Sequence, residues 1–430
     1  METPRRPCGS CGKQRAPLRC PCKGESYCGA ECQKASWLTH KKRCSVFLSS
    51  DLESKRTEFG DDTVEVGKAS RGIGLVFMGQ DQFKYALKSL LRAERIYRLL
   101  FGDLEDVADI LHHLGIIYHR QGQYVDARQM FKNALRIFRS VYGSNHVQVA
   151  GTLNSFGATD MAVGKMDQAA EKFRLAMAMI QPLTFKNQDD KLALALLNNL
   201  GVLWFKNGEL DKAMEIYVKL LSLWKTKFCN HPAYSARSRR IGVGNALLNI
   251  SHVLIDQGLL VEAMCNLDEA LQLLRAVHGE KSTEAAAVLC LVGDVYRKQG
   301  KLDESLKVHN MALRHRHRAL GKNHEAVASS WTKLALVLED QGYVQDALNL
   351  FEYAVGKQRE ALGDDHLEVA YTCQFICSCC RKLGYLDKLL ASMRETLRIS
   401  TLIGSPEEVT IFAEKVQVCE RLVQEQQLNL

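Results

Sequence analysis

Eight residues able to bind a soft metal ion crowd into the start of the chain, in the order Cys8-x2-Cys11-x8-Cys20-x1-Cys22-x5-Cys28-x3-Cys32-x7-His40-x3-Cys44. Thiolate and imidazole are the ligands zinc prefers, and a structural zinc site closes with four of them in a tetrahedron. Eight ligands fill two such sites, so the expected cofactor is Zn2+, two ions per chain. A segment of 37 residues, 8 to 44, buries too little apolar surface to fold unaided, and coordination supplies the missing free energy. A disulfide framework pairs its cysteines, yet this segment holds seven, and the N-terminus METPRRPCGSC has no apolar run of a secretory signal behind its basic residues.

Charge follows the same division. Residues 1 to 44 hold ten Lys or Arg against three Glu, and the other 386 hold 47 against 46. A basic finger invites a nucleic-acid reading. Seven bound thiolates and two zinc ions reduce its charge to about +4, which makes direct nucleic-acid binding a weak expectation.

The string resembles the MYND-type zinc finger along its whole length, including Tyr27 before Cys28 and the run CQKASWLTHKKRC. The resemblance implies a cross-brace, with Cys8, Cys11, Cys28 and Cys32 on one zinc and Cys20, Cys22, His40 and Cys44 on the other. One spacing departs from the family, which usually has two residues between its third and fourth ligands; here only Pro21 separates Cys20 from Cys22. The family binds short proline-containing peptides in a groove beside its small helix, at positions that are Gln33 and Trp37 here. These two are four apart, on one helical face, and a Trp beside a rigid metal core offers a flat platform to a proline ring.

Beyond the finger lie the elements that would position a second surface. Only three of the seven prolines follow residue 22, so a long helical run is open to the chain. From about residue 64 it repeats. In Leu111 to Leu135, Leu111, Leu114 and Tyr118 share one helical face, Gly122 breaks the helix, and Ala127, Phe131 and Ala134 share the next. The residue opening the second face recurs as Ala86, Ala127, Ala169, Ala213, Ala263, Ser305, Ala347 and Leu389, at intervals of 41, 42, 44, 50, 42, 42 and 42. That constancy predicts an all-α fold: a helical-hairpin repeat solenoid of about eight units, preceded by the small two-zinc cross-brace finger.

The pattern resembles tetratricopeptide repeats, with a small residue at the eighth position (Gly115, Gly157, Gly201, Ser251, Gly293, Ala335, Cys377) and Ala at the twentieth. The long period and connectors such as YGSNHVQVA, LGKNHEAVA and LGDDHLEVA look like the kinesin-light-chain type. In that family the fifth and sixth positions of the first helices often touch the ligand. They correspond here to Asn154, Asn198, Asn199 and Asn249, besides Ser155, His112 and His113; an Asn side chain can both donate to and accept from a peptide backbone.

The domain expectation is a finger at 1–45, a linker at 46–63, the repeat array at 64–400 and a C-terminal capping helix at 401–430, opened by a Ser405 to Glu408 capping box. Residues 225 to 240, KTKFCNHPAYSARSRR, read as an inserted basic surface loop. Cys373 and Cys377 fall on repeat core positions, so the cluster with Cys379 and Cys380 reads as packing. No catalytic constellation or phosphate loop is present in the sequence, and no run is long and apolar enough for a membrane span. The expectation is a non-enzymatic, cytoplasmic and possibly also nuclear scaffold or adaptor: a proline-containing peptide at the finger, a second protein partner in the repeat groove. The rival functions are a nuclear transcription or chromatin regulator and a ubiquitin ligase.

Overall fold

The computed structural model describes Leu18–Arg19, Ser26–Tyr27 and residues 44–428, apart from 81, 181–188, 227, 229–234, 323 and 404–405. Two-residue strands β1 (Leu18–Arg19) and β2 (Ser26–Tyr27) pair antiparallel, Leu18 opposite Tyr27 and Arg19 opposite Ser26. All else regular among the described residues is helix. The chain divides into two compact units, 1–155 and 156–430.

Helix α1 (Ser45–Phe59) precedes the repeats. It occupies most of the stretch expected to be a linker. Its sequence contains neither Gly nor Pro, and Asp51–Lys55 (2.9 Å) and Glu53–Arg56 (2.9 Å) pair along it, which the search for a repeat period did not register. Eight hairpins follow: α2 (Val64–Gly79) with α3 (Phe83–Phe101), α4 (Glu105–Arg120) with α5 (Tyr124–Tyr142), α6 (Val147–Ala162) with α7 (Met166–Ile180), α8 (Asp189–Lys206) with α9 (Leu210–Lys225), α10 (Ala236–Asp256) with α11 (Leu260–His278), α12 (Thr283–Lys298) with α13 (Leu302–Leu320), α14 (Glu325–Asp340) with α15 (Val344–Leu362), and α16 (Leu367–Leu383) with α17 (Leu386–Ile403). Helix α18 (Pro406–Leu428) packs on α17 and buries Val416 and Cys419. Ser405, the expected cap, lies outside the described residues.

Every hairpin after the first closes in one way. Gly122 takes φ 75°, its N–H donates to the His119 carbonyl (3.0 Å), and the Gln123 N–H donates to the Tyr118 carbonyl (2.9 Å). This is the left-handed helix stop that only glycine adopts without strain. The same pair of bonds recurs at Gly164, Gly208, Gly258, Gly300, Gly342 and Gly384. The connectors have an equally local purpose. In NHVQVA, NHEAVA and DHLEVA the histidine is the helix N-cap: Nδ1 of His146, His324 and His366 accepts the N–H of Gln148 (3.3 Å), Ala326 (3.1 Å) and Glu368 (3.2 Å).

Between the two helices of a hairpin, the eighth position meets a large side chain sixteen residues on. A Cβ on Gly115 would lie 2.6 Å from the Phe131 ring, on Gly157 2.7 Å from Phe173, and on Gly201 2.4 Å from Tyr217. Gly293 meets His309 instead, whose Nε2 would be 2.6 Å from the added atom. His309 is thus an imidazole in a ring-shaped core slot.

Two details go beyond the periodicity. Within the 225–240 insertion Phe228 is fully buried with Leu194, Leu197, Leu220 and Ala246, and Ser235 Oγ caps α10 by accepting from the Ser238 N–H (3.1 Å). Arg237, Arg239 and Arg240 therefore begin a helix, and α10 runs to 21 residues where α12 has 16. Cys373, Cys377, Cys379, Cys380 and Cys419 pack into one core with Phe351 and Ile376. Burial pushes the Cys373 thiol up to about 11 and those of Cys377 and Cys379 up to about 12, so these sulfurs are protonated packing atoms.

Burial, then the neighbouring His113, lowers the pKa of His112 to about 4; burial also lowers that of His309 to about 4, against the pull of Asp294. The unfolded chain binds protons at both below pH about 6.5, whereas the folded chain refuses them until about 4. With more protons on the unfolded state, stability falls as pH drops through that window. His309→Phe, which restores the ring of the other hairpins, is expected to narrow the loss. The melting temperature of the helical signal should drop less between pH 7 and pH 5 in the variant than in the parent, by thermal circular dichroism.

Candidate functional site

The first helices of successive hairpins are tied by a ladder of polar side chains. In the first unit Arg71 of α2 holds Asp106 (2.8 Å) and Asp109 (2.5 Å) of α4, and His112 Nδ1 lies 3.2 Å from Thr152 Oγ1 of α6. Its neighbour His113 donates from Nδ1 to the Asp109 carbonyl (2.7 Å). Asn154 lies in this unit too, half-buried on α6.

In the second unit the ladder is longer. Asn249 Nδ2 of α10 donates to Asn198 Oδ1 of α8 (2.8 Å). Lys298 of α12 donates to the Ile255 carbonyl (2.8 Å) and lies 3.3 Å from Asp256 Oδ1 at the end of α10. Lys333 of α14 pairs with Asp294 of α12 (2.8 Å), and Arg297 of α12 with Asp340 of α14 (2.8 Å). Ser378 and Lys382 of α16 both bond Glu339 of α14, at 2.8 and 2.7 Å. These bonds run from first helix to first helix, so one face of the repeat is polar while the cores lie between the helices of each hairpin.

That face has its own electrostatics. Burial lowers the His252 pKa; Lys333 adds to this, and Asp294 and Asp256 oppose it. The neutral ring lies edge-on to Phe205, with centroids 6.0 Å apart. Burial raises the Glu368 pKa, Glu325 adds to the rise, and Lys206 and Lys333 pull it down. Lys206 is on α8, Lys333 on α14 and Glu368 on α16, so charges of these first helices lie within electrostatic reach of one another, and the polar first-helix face is treated as one groove. The groove offers hydrogen-bonding amides at Asn198 and Asn249, an aromatic edge at Phe205, and charges of both signs. Such a lining suits an extended peptide, whose backbone needs donors and acceptors and whose side chains need mixed pockets.

Of the residues singled out in the sequence, the structure joins Asn198 to Asn249 and places Asn199 beside Asn198 on α8. The bond between the two amides leaves the Asn198 NH2 and the Asn249 Oδ1 with capacity for a ligand. Gln33 and Trp37 lie outside the described residues, as do the ligand positions Cys8, Cys11, Cys20, Cys22, Cys28, Cys32 and His40. Cys44 is described: it is 2% exposed, takes no part in a disulfide and precedes α1. The β1–β2 ladder joins residue 19 to residue 26, across the stretch of sequence that carries Cys20 and Cys22. Hairpin pairing and a buried, reduced thiol are both compatible with metal coordination by this segment. Phe205, His252, Asp294, Lys333 and Glu368 were not singled out from the sequence. The signal was available, since carrying the first-helix register through every repeat brings Asp294 one residue past Gly293 and His252 one past Ser251.

A family model for the tetratricopeptide repeat matches residues 65–132, 106–181, 242–315 and 284–356, more than half of the chain, and a second model of that repeat matches 193–232. The chain belongs to the tetratricopeptide repeat family. Residues 8–44 match the MYND finger model, so a zinc-binding finger precedes the repeats. Protein KINESIN LIGHT CHAIN-RELATED 2 of Arabidopsis thaliana is 26% identical over 157 residues, 36% of this chain and 23% of the relative. Protein KINESIN LIGHT CHAIN-RELATED 1 of the same plant is 23% identical over 217 residues, 50% of this chain and 32% of the relative. The chain thus spans a quarter to a third of the length of these relatives. Among solved structures, the apo form of the quorum sensor NprR from B. thuringiensis superposes with a TM-score of 0.57 at 15% identity, covering 76% of this chain and 86% of that one, which shows the shared fold. The finger and the tetratricopeptide repeat are both families of protein-interaction module.

The ladder can be weighed rung by rung. Lys333→Met leaves the Asp294 carboxylate, 11% exposed, without its cation and is expected to destabilise the second unit by about 1–3 kcal/mol. Asn249→Leu removes a neutral hydrogen bond and should cost nearer about 1 kcal/mol. Urea unfolding followed by far-ultraviolet circular dichroism measures both, and equal losses would show that the Lys333 pair carries no special weight.

Proposed function

We propose that the protein is a non-enzymatic adaptor. Its finger takes a short proline-containing peptide at Gln33 and Trp37, and its first-helix groove takes a second, extended partner. The single observation behind the two-partner reading is the presence in one chain of a MYND finger and a repeat unit whose groove is polar and built from five successive first helices, α8 to α16. The groove's side chains hold one another by hydrogen bonds and ion pairs, so it is preformed, which lowers the entropy lost on binding. Cysteine usage favours a reducing compartment such as the cytoplasm, with the nucleus as a further site, because the described cysteines form no disulfide.

The finger reading includes two zinc ions, on Cys8, Cys11, Cys28 and Cys32 and on Cys20, Cys22, His40 and Cys44. Zinc is structural here: it would hold the peptide-binding helix in place and take no part in chemistry. Native mass spectrometry should find two zinc ions per chain, falling to one in His40→Ala; one zinc in the fully loaded parent would defeat the two-site reading. The peptide reading is tested separately by calorimetry. Trp37→Ala should lose at least about 2 kcal/mol of affinity for a proline-rich peptide while keeping its metal. Unchanged affinity would place the groove elsewhere.

A further inference from the structure

The outer edges of three hairpins carry a second ionic pattern, and one further hairpin places two cations where that pattern has an Asp and an Arg. In three hairpins an Asp of the connector pairs with an Arg of the next second helix: Asp62 with Arg95, Asp103 with Arg136, and Asp365 with Arg398. The separation is thirty-three residues each time. At the same interval in the α12–α13 hairpin stand Lys281 and Arg314, two cations. No carboxylate among the described residues pairs with Lys281, Arg314, Arg318 or Arg275. Arg314 and Arg318 are one turn apart on the exposed side of α13, and Arg275 brings a fourth charge from α11. The imidazole of His315 registers the cluster: after burial, Lys281, Arg275 and Arg318 lower its pKa, and only Glu280 opposes them. The carboxylate of Glu284 is engaged with His278 (3.4 Å), and Arg316 is turned inward onto the Ala326 carbonyl (3.0 Å) and Ser330 Oγ (2.8 Å).

On the repeats to either side several outer cations are paired, Lys225 with Glu269, Arg359 with Glu395 and Lys388 with Glu352. A tract of nucleic acid needs cations strung along many phosphates, or aromatic platforms for its bases. A cluster of four cations from two adjacent hairpins and their connector, with no exposed aromatic ring among them, fits a shorter ligand. We infer that the surface formed by Arg275, Lys281, Arg314 and Arg318 is a docking site for a short acidic segment of a partner protein. It is separate from the first-helix groove and from the finger, since the four residues lie on second helices and a connector. A run of Asp or Glu would supply the carboxylates that Asp62, Asp103 and Asp365 supply in the other repeats.

The test uses the full-length, zinc-loaded chain and a fluorescein-labelled octaglutamate peptide, followed by anisotropy at low and moderate salt. A single-stranded deoxyoctanucleotide of similar charge is the comparison probe. The peptide should bind, and more weakly as salt screens the contact. Lys281→Asp rebuilds the pair found in the other repeats, so it should keep the fold while weakening the peptide by about fivefold or more. Arg318→Glu should do the same by another route, and both variants should keep the parent's helical spectrum. Absence of binding, or binding that neither variant changes, overturns the inference; the latter would place the peptide on the basic finger or in the groove. An oligonucleotide that binds as tightly and is lost in the same variants would overturn the assignment to a protein segment.

Discussion

The close approach of two helices at a side-chain-free point is the constraint on which every other feature depends. Where Gly115, Gly157 and Gly201 stand, any Cβ would run into Phe131, Phe173 or Tyr217. Where the small residue is not glycine, polar contacts mark the same proximity: Ser251 Oγ lies 3.5 Å from the Ala263 carbonyl, and Ser305 Oγ donates to the Gly293 carbonyl at 2.8 Å. Helices this close exclude water from their shared face and leave their outer faces at a fixed spacing. The fixed spacing then allows side chains forty residues apart to meet, as Asn198 meets Asn249 and Asp294 meets Lys333.

Because each hairpin buries only its own seam and its neighbours' flanks, the remaining faces are free to vary. The first-helix face has become a polar ladder in which most charges are answered. The second-helix edge carries a simpler pattern in three hairpins, one Asp answering one Arg at a fixed interval, and Lys281 and Arg314 place two cations at that interval. His309 is a variation of another kind, a titratable ring in a core slot otherwise filled by Phe, Tyr, Leu or Met. Its Nε2 lies 3.6 Å from Asp294, the carboxylate that Lys333 also holds, so core and groove are coupled through one side chain. Repeat proteins concentrate such differences because each unit's stability is nearly its own.

The chain joins two kinds of module. A short segment rich in soft ligands gains its stability from the metal it binds, whereas the repeats depend on apolar burial and helix stops.

The sequence by itself determined the period, the helix stops and the presence of a finger motif, because each is local. A glycine at φ 75°, a small residue every 42 positions and a Cys-x2-Cys pair declare themselves within a few residues of the chain. Asn198 and Asn249 could be chosen from register alone. Tertiary structure decided what those residues meet. The bond between the two Asn spans 51 residues, an interval lengthened by the insertion that Phe228 anchors, and no fixed repeat spacing would pair them. Helix α1 was hidden because it belongs to no repeat, and its order comes from side-chain pairs three and four residues apart and packing on α2. The groove residues His252, Lys333 and Glu368 are ordinary polar residues in the sequence. Only packing of distant helices brings them to one face, where burial lowers the His252 pKa and raises that of Glu368.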